Sequence, residues 1–180
     1  MGYATRSTDF LFQHFTPWPN NNPVNANPCT GCCDGWLQII VEGKPAYPGK
    51  PCHHSTGKGC DDYEHRPVDP CVKFVCGWRM DGSPLPDWMK PDNAKVIVLF
   101  NKTQWRGIPV DVAVPVGRRI PPRALNWLQQ FAQTHQRALL YSEQLVENGK
   151  FSNRQAASAF GPPEFQQEMA ERIQSGQPLW

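Results

Sequence analysis

Lys95-Val-Ile-Val-Leu-Phe100-Asn-Lys-Thr-Gln-Trp105-Arg-Gly-Ile-Pro-Val110-Asp-Val-Ala-Val114 holds the clearest regular pattern in the chain. Its first six residues carry a run of β-branched and large apolar side chains, which reads as a strand. Asn101-Lys102 reads as a turn. Val110 to Val114 alternates apolar and other residues, the period of a strand with one face buried. The two strands form a hairpin, and Pro109 and Pro115 suggest an edge position for the second. Downstream, Pro121-Pro122 opens a helix, because proline tolerates the first helical turn. Leu125, Leu128, Phe131, Leu139, Leu145 and Val146 continue it as a broken apolar stripe up to Asn148-Gly149. Arg154 to Phe160 reads as a short helix capped by Ser152-Asn153, and Glu164 to Ile173 as a last helix after Gly161-Pro162-Pro163. The fold class is α+β: an irregular Cys-rich metal-binding module, a β-hairpin and C-terminal helices.

Three parts follow. Residues 1–28 form a leader rich in Pro and Asn, whose Phe10, Phe12, Phe15 and Trp18 pin it to the body. Residues 29–94 are a Cys/His metal-binding module. It contains one short strand, Trp36 to Val41, turns at Gly43 and at Tyr47 to Pro51, and a Pro-rich connection over 81–94. Residues 95–180 hold the hairpin and the helical part. A formal charge of +2 is too weak a basic bias to imply nucleic acid. The segment 149–161 superficially suggests a helix-turn-helix, but it has few basic residues and no clear recognition helix. No apolar run is long enough to span a bilayer, so no membrane partner is expected. Asp9 and His14 interrupt the apolar residues near the N-terminus, unlike a secretory signal. The expected location is cytoplasmic.

All seven cysteines fall between positions 29 and 76: Cys29, Cys32, Cys33, Cys52, Cys60, Cys71 and Cys76. In a reducing compartment clustered thiols are metal ligands more often than disulfides, and an odd count argues against a closed disulfide framework. Cys29-x2-Cys32 is a chelating bite, because two intervening residues let both sulfurs reach one centre. Cys33 is unusual beside Cys32, since neighbouring side chains normally diverge. One of the two serves as ligand, the other as a spare, a second-site ligand or packing. His53 and His54 could bind metal or stand beside it, and His65 is a weaker candidate. Cys52 with a neighbouring histidine could form a nucleophilic pair only if its thiolate were activated and accessible. No phosphate loop or nucleophile elbow is visible.

The string Cys60-Asp-Asp-Tyr63-Glu-His-Arg66-Pro67-Val-Asp-Pro70-Cys71, followed by Cys76, together with Cys29-x2-Cys32-Cys33 and the isolated Cys52, resembles the CxxCxxCC (YkgJ-like) family of putative zinc- or iron-chelating proteins. The resemblance covers about residues 26–80. The family's first cysteine falls at Ala26, and Cys71 sits one residue later than the commonest spacing. The resemblance implies metal chelation by Cys29, Cys32, Cys33, Cys52, Cys60, Cys71 and Cys76, with Cys32, Cys52, Cys60 and Cys71 foremost. It implies no defined reaction. A related module occurs in flagellin lysine methylases, where it is linked to an iron–sulfur cluster. From the residues themselves, Tyr63 can bury its ring, and Arg66, Lys50, Lys58 and Lys73 can offset thiolate charge.

The expected function is a cytosolic metal-binding protein using zinc or iron, as a mononuclear site or an iron–sulfur cluster, in a structural or metal-handling role. The alternatives are a metal- or cluster-dependent modifying enzyme, or an interaction module whose C-terminal helices dock a partner protein. The Cys module is broken by Pro and Gly and has little apolar area to offset about 1–2 kcal/mol of backbone ordering per residue. Metal coordination can supply on the order of 10 kcal/mol. Chelation is therefore expected to unfold residues 29–80 first, while the part from residue 95 onward survives. Hydrogen exchange with and without a strong chelator measures this, and equal loss of protection in both halves would refute it.

Overall fold

The computed structural model describes residues 29–179. The leader expected over 1–28, with its four anchoring aromatics, lies outside the described residues. The architecture is α+β. A small hairpin of β1 (Ile39–Val41) and β2 (Lys44–Ala46) is followed by α1 (Pro91–Ala94), β3 (Val96–Trp105), β4 (Ile108–Pro115), α2 (Pro122–Thr134), β5 (Ala138–Glu147), β6 (Lys150–Phe160) and α3 (Pro163–Ser175). The last four strands form one sheet in the order β3-β4-β5-β6. Its outer pairs are antiparallel, and β4–β5 is parallel, with α2 as the crossover.

The β3–β4 hairpin and the final helix agree with the sequence pattern. Three features differ. Asn101-Lys102 is a bulge rather than the turn; the strand runs on to Trp105, and the turn is Arg106-Gly107, both at positive φ. β4 is interior rather than at an edge, because its two prolines lie near its ends and leave Val110 to Ala113 free to pair with β5. The largest correction concerns 138–160. The long helix ends at Thr134, and both the rest of it and the expected helix Arg154 to Phe160 are strands. Asn148-Gly149, read as a helix stop, is a hairpin tip with φ of 51° and 75°. Alanines at 156, 157 and 159 favour helix locally, but pairing along β5 overrides that preference.

α2 buries Ala124, Leu128 and Ala132, one per turn, along the face that packs on the sheet. Where it ends, Gln136 turns the chain at positive φ and Arg137 goes inside. Arg137 Nε donates to Asp111 Oδ2 at 2.6 Å, and Nη2 to Asp111 Oδ1 and Asn101 Oδ1, each at 2.6 Å. The Asn101 amide donates to the same Asp111 carboxylate at 2.9 Å. Asp111, the polar member of the alternating strand, is thus buried and fully satisfied.

The main core does not stop at residue 94. Leu37, Cys76, Trp78, Leu85 and Met89 pack in one cluster with the sheet, α2 and α3. A separate small cluster of Val41, Ala46 and Cys52 lies in the Cys module. Gly77 donates its amide to Val98 O at 2.6 Å, and a Cβ there would meet the Phe100 ring and Val98 O at 2.9 Å. The module also touches β6: Trp36 meets Phe151 edge-on at 5.2 Å, and Gln38 donates to Asn153 O. Residues from Cys76 onward, together with Leu37, therefore share the core of the sheet. Removing one partner of the buried Asp111–Arg137 pair by Asp111→Ala is expected to cost about 3–5 kcal/mol. Urea denaturation checks this, and a loss below about 1 kcal/mol would show that the pair is not the tie between β4 and the α2–β5 link.

Candidate metal centre

The loop Cys29-Thr-Gly-Cys32-Cys33 closes on itself. The Asp34 amide donates to Thr30 O at 2.8 Å, and the Thr30 hydroxyl donates to Asp34 Oδ2 at 2.6 Å. Gly35 follows at φ 89°, where an L side chain is strained, and a Cβ there would overlap the Tyr47 carbonyl. Cys52 reaches the loop through its amide, which donates to Cys33 O at 2.8 Å. Ser55 and Cys60 pair across the 52–61 loop, and a single helical turn, Val68–Val72, presents Cys71. Cys76 is buried just before the strap formed by Gly77. All seven thiols are free.

These segments surround one cavity of 240 Å³, and every one of the seven cysteines lines it, together with His54, Tyr63, Arg66, Pro67 and Arg79. Residues nearly fifty positions apart are thereby gathered at one place. Two groups of thiols occur within it. Cys33 has Cys52, Cys60 and Cys71 as electrostatic neighbours. Cys29 has Cys76 and Asp92. Cys32 connects the two, lying 4.0 Å from Cys33 by sulfur and close to both Cys71 and Cys76. The groups follow the two cores, since Cys32 packs on the main one and Cys33, Cys52 and Cys71 on the small one. The neighbouring side chains at 32 and 33 thus turn toward one another at the cavity, their sulfurs 4.0 Å apart, while each packs on a different core.

The thiols differ in their protonation. Burial pushes Cys29 up to about 12, the Gly31 amide working against it. Burial also raises Cys76, opposed by the Arg79 and Trp78 amides, and raises Cys71. The hydrogen bond between the Cys32 and Cys33 sulfurs raises the pKa of Cys32 and lowers that of Cys33. Cys33 is thus the sulfur readiest to carry negative charge.

Other sequence expectations fare unevenly. Tyr63 is 55% exposed rather than buried. Its ring lies under the Arg66 guanidinium at 3.8 Å, and Arg66 also donates to the Tyr63 carbonyl. Lys73 pairs with Asp69, and Lys50 sits over Tyr47, so neither points at the sulfurs. The cations that lower thiol pKa are Arg66, on Cys71, and Arg79, on Cys76. His65 is bonded to Asp62 at the surface. Among the described residues no three sulfurs lie within 4.8 Å of one another; the only donor group that meets this spacing is Glu42, His53 and His54.

The chain matches no family model, no curated protein and no solved structure.

In reduced, metal-free protein, Cys33 is expected to be the first thiol alkylated near neutral pH. Cys32→Ala removes the donor that stabilises its thiolate, so the midpoint of its alkylation profile moves to higher pH. Mass mapping after brief iodoacetamide treatment reads both effects, and an unmoved profile would refute the pairing.

Proposed function

We propose that the protein is a cytosolic metalloprotein whose thiols hold a zinc or iron centre of more than one metal ion, an iron–sulfur cluster being the form the cavity favours. The observation that carries this reading is the convergence of all seven cysteines on one cavity. Chance placement of thiols along 48 positions, Cys29 to Cys76, gives no reason for every one to face the same space. The resemblance to the CxxCxxCC (YkgJ-like) family points the same way through Cys60, Tyr63, Arg66, Pro67 and Cys71.

The spread of the sulfurs supports a polynuclear centre. Four thiolates bound to one zinc at about 2.3 Å stand about 3.8 Å apart. Here Cys32 and Cys33 stand 4.0 Å apart, but no three sulfurs lie within 4.8 Å of one another around the 240 Å³ space. Arg66 beside Cys71 and Arg79 beside Cys76 offset part of the thiolates' negative charge. Soft thiolate donors suit zinc and iron–sulfur chemistry. Backbone amides facing Cys29 and Cys76 supply the hydrogen bonds that such sulfurs accept. The centre's place at the seam between the module and the sheet suits a structural or metal-handling role.

Anaerobic purification without an affinity tag, followed by elemental analysis and an absorption spectrum, tests the proposal. At least two zinc or iron ions per chain are expected. Cys33→Ser, Cys60→Ser and Cys71→Ser are each expected to reduce the retained metal at least tenfold. A metal-free protein with paired disulfides, or full metal retention in all three variants, would overturn the reading.

A further inference from the structure

On the outer rim of the thiol cavity stands a group of donors of a different kind. Glu42 occupies the tip of the β1–β2 hairpin, and His53 and His54 follow Cys52 on the adjacent loop. His53 Nε2 lies 3.2 Å from Glu42 Oε2, and His54 Nε2 lies 3.5 Å from the same oxygen. One donor from each of the three residues lies within 4.8 Å of the others. Glu42 has φ of 50°, and Asn, Asp or Gly is the usual residue at such a tip. A glutamate there places a longer carboxylate beside the two imidazoles.

The hydrogens on His54 make the arrangement informative. Its Nδ1 is 2.7 Å from Asp61 Oδ1. A carboxylate only accepts, so Nδ1 carries the hydrogen, and in the neutral ring the lone pair is on Nε2. That lone pair faces the Glu42 oxygen, and two lone pairs at 3.5 Å repel unless something positive stands between them. A second proton would serve His54 alone. A metal cation would serve His53, His54 and Glu42 together. Ligand atoms about 2.1 Å from one ion stand about 3.0 Å apart in octahedral and about 3.4 Å apart in tetrahedral geometry. The observed 3.2 and 3.5 Å suit that spacing. Asp61 on the far nitrogen is the outer carboxylate that commonly fixes the tautomer and direction of a metal-bound histidine.

We propose that Glu42, His53 and His54 form a second metal site, which takes a first-row divalent cation of the zinc type through two imidazole Nε2 atoms and one carboxylate. Two histidines and one carboxylate are borderline-to-hard donors, unlike the thiolates behind them. The Glu42 side chain is 52% exposed, so the remaining coordination positions open to solvent. The site does not depend on the thiol centre being filled, although His54 also lines that cavity.

The test uses the full chain as isolated, with its histidine rings labelled with ¹⁵N, titrated with zinc at neutral pH. Ring nitrogens are followed by long-range ¹H–¹⁵N correlation, and metal already bound is counted by elemental analysis. Added zinc is expected to move the Nε2 signals of His53 and His54 together, leaving His65 and His135 in place. Glu42→Gln and His53→Ala are each expected to weaken this step at least tenfold without changing the metal held by the thiols. Absence of a zinc-dependent shift at His53 and His54, or unchanged affinity in both variants, would overturn the proposal. If the isolated chain holds no thiol-bound metal but His53 and His54 still take zinc, this site stands and the proposed thiol centre falls.

Discussion

The buried contact between Arg137 and Asp111 is the constraint around which the rest of the fold is arranged. It joins a bulge in β3, the middle of β4 and the link from α2 to β5 in one hydrogen-bonded group, with the two side chains 5% and 3% exposed. A charge so deeply buried is tolerated only when every polar atom has a partner in good geometry. That requirement fixes where α2 stops, and it brings β5 in parallel beside β4, with Asp111 opposite Leu139. Once those two strands are paired, β3 and β6 add as antiparallel neighbours through tight two-residue turns.

The Cys module uses this sheet as its base. It has too little apolar area to form a core of its own, and its buried residues divide accordingly. Leu37 and those from Cys76 onward join the main core, and the strap at Gly77 ties the latter to β3 by a close backbone contact that leaves no room for a side chain. Those near Val41 and Cys52 form only a small cluster. The thiol cavity lies at the junction, with one group of sulfurs on each core. Cys32 and Cys33 span the junction, one packed on each core, with their sulfurs 4.0 Å apart, an arrangement that places a low-pKa sulfur beside its hydrogen-bond partner.

Two kinds of donor side chain therefore stand side by side. The inner set is sulfur, partly buried and flanked by Arg66 and Arg79. The outer set is imidazole and carboxylate, half open to water. Cys52 and His53 are sequence neighbours that face different sets, so a single loop carries donors of both kinds.

The sequence by itself determined the parts that depend on local chemistry: the β3–β4 hairpin, the proline-started α2, the last helix, and the seven thiols with Arg66 among them as candidates for one centre. Each follows from residue type and spacing. Tertiary structure alone decided the stretch from Ala138 to Phe160. Its leucines fit a helical stripe and its alanines favour helix, but pairing with β4 and the Asn148-Gly149 turn make it two strands. It also decided that Asp111, Arg137, Glu42 and Asp61 matter. A lone carboxylate or guanidinium carries no signal in sequence, because its meaning lies in the partner that folding brings to it across tens of residues. The division of the thiols into two groups, and the prominence of Cys33, are of the same kind. Spacing can bring sulfurs toward one centre, but burial and neighbouring charge decide which of them ionises.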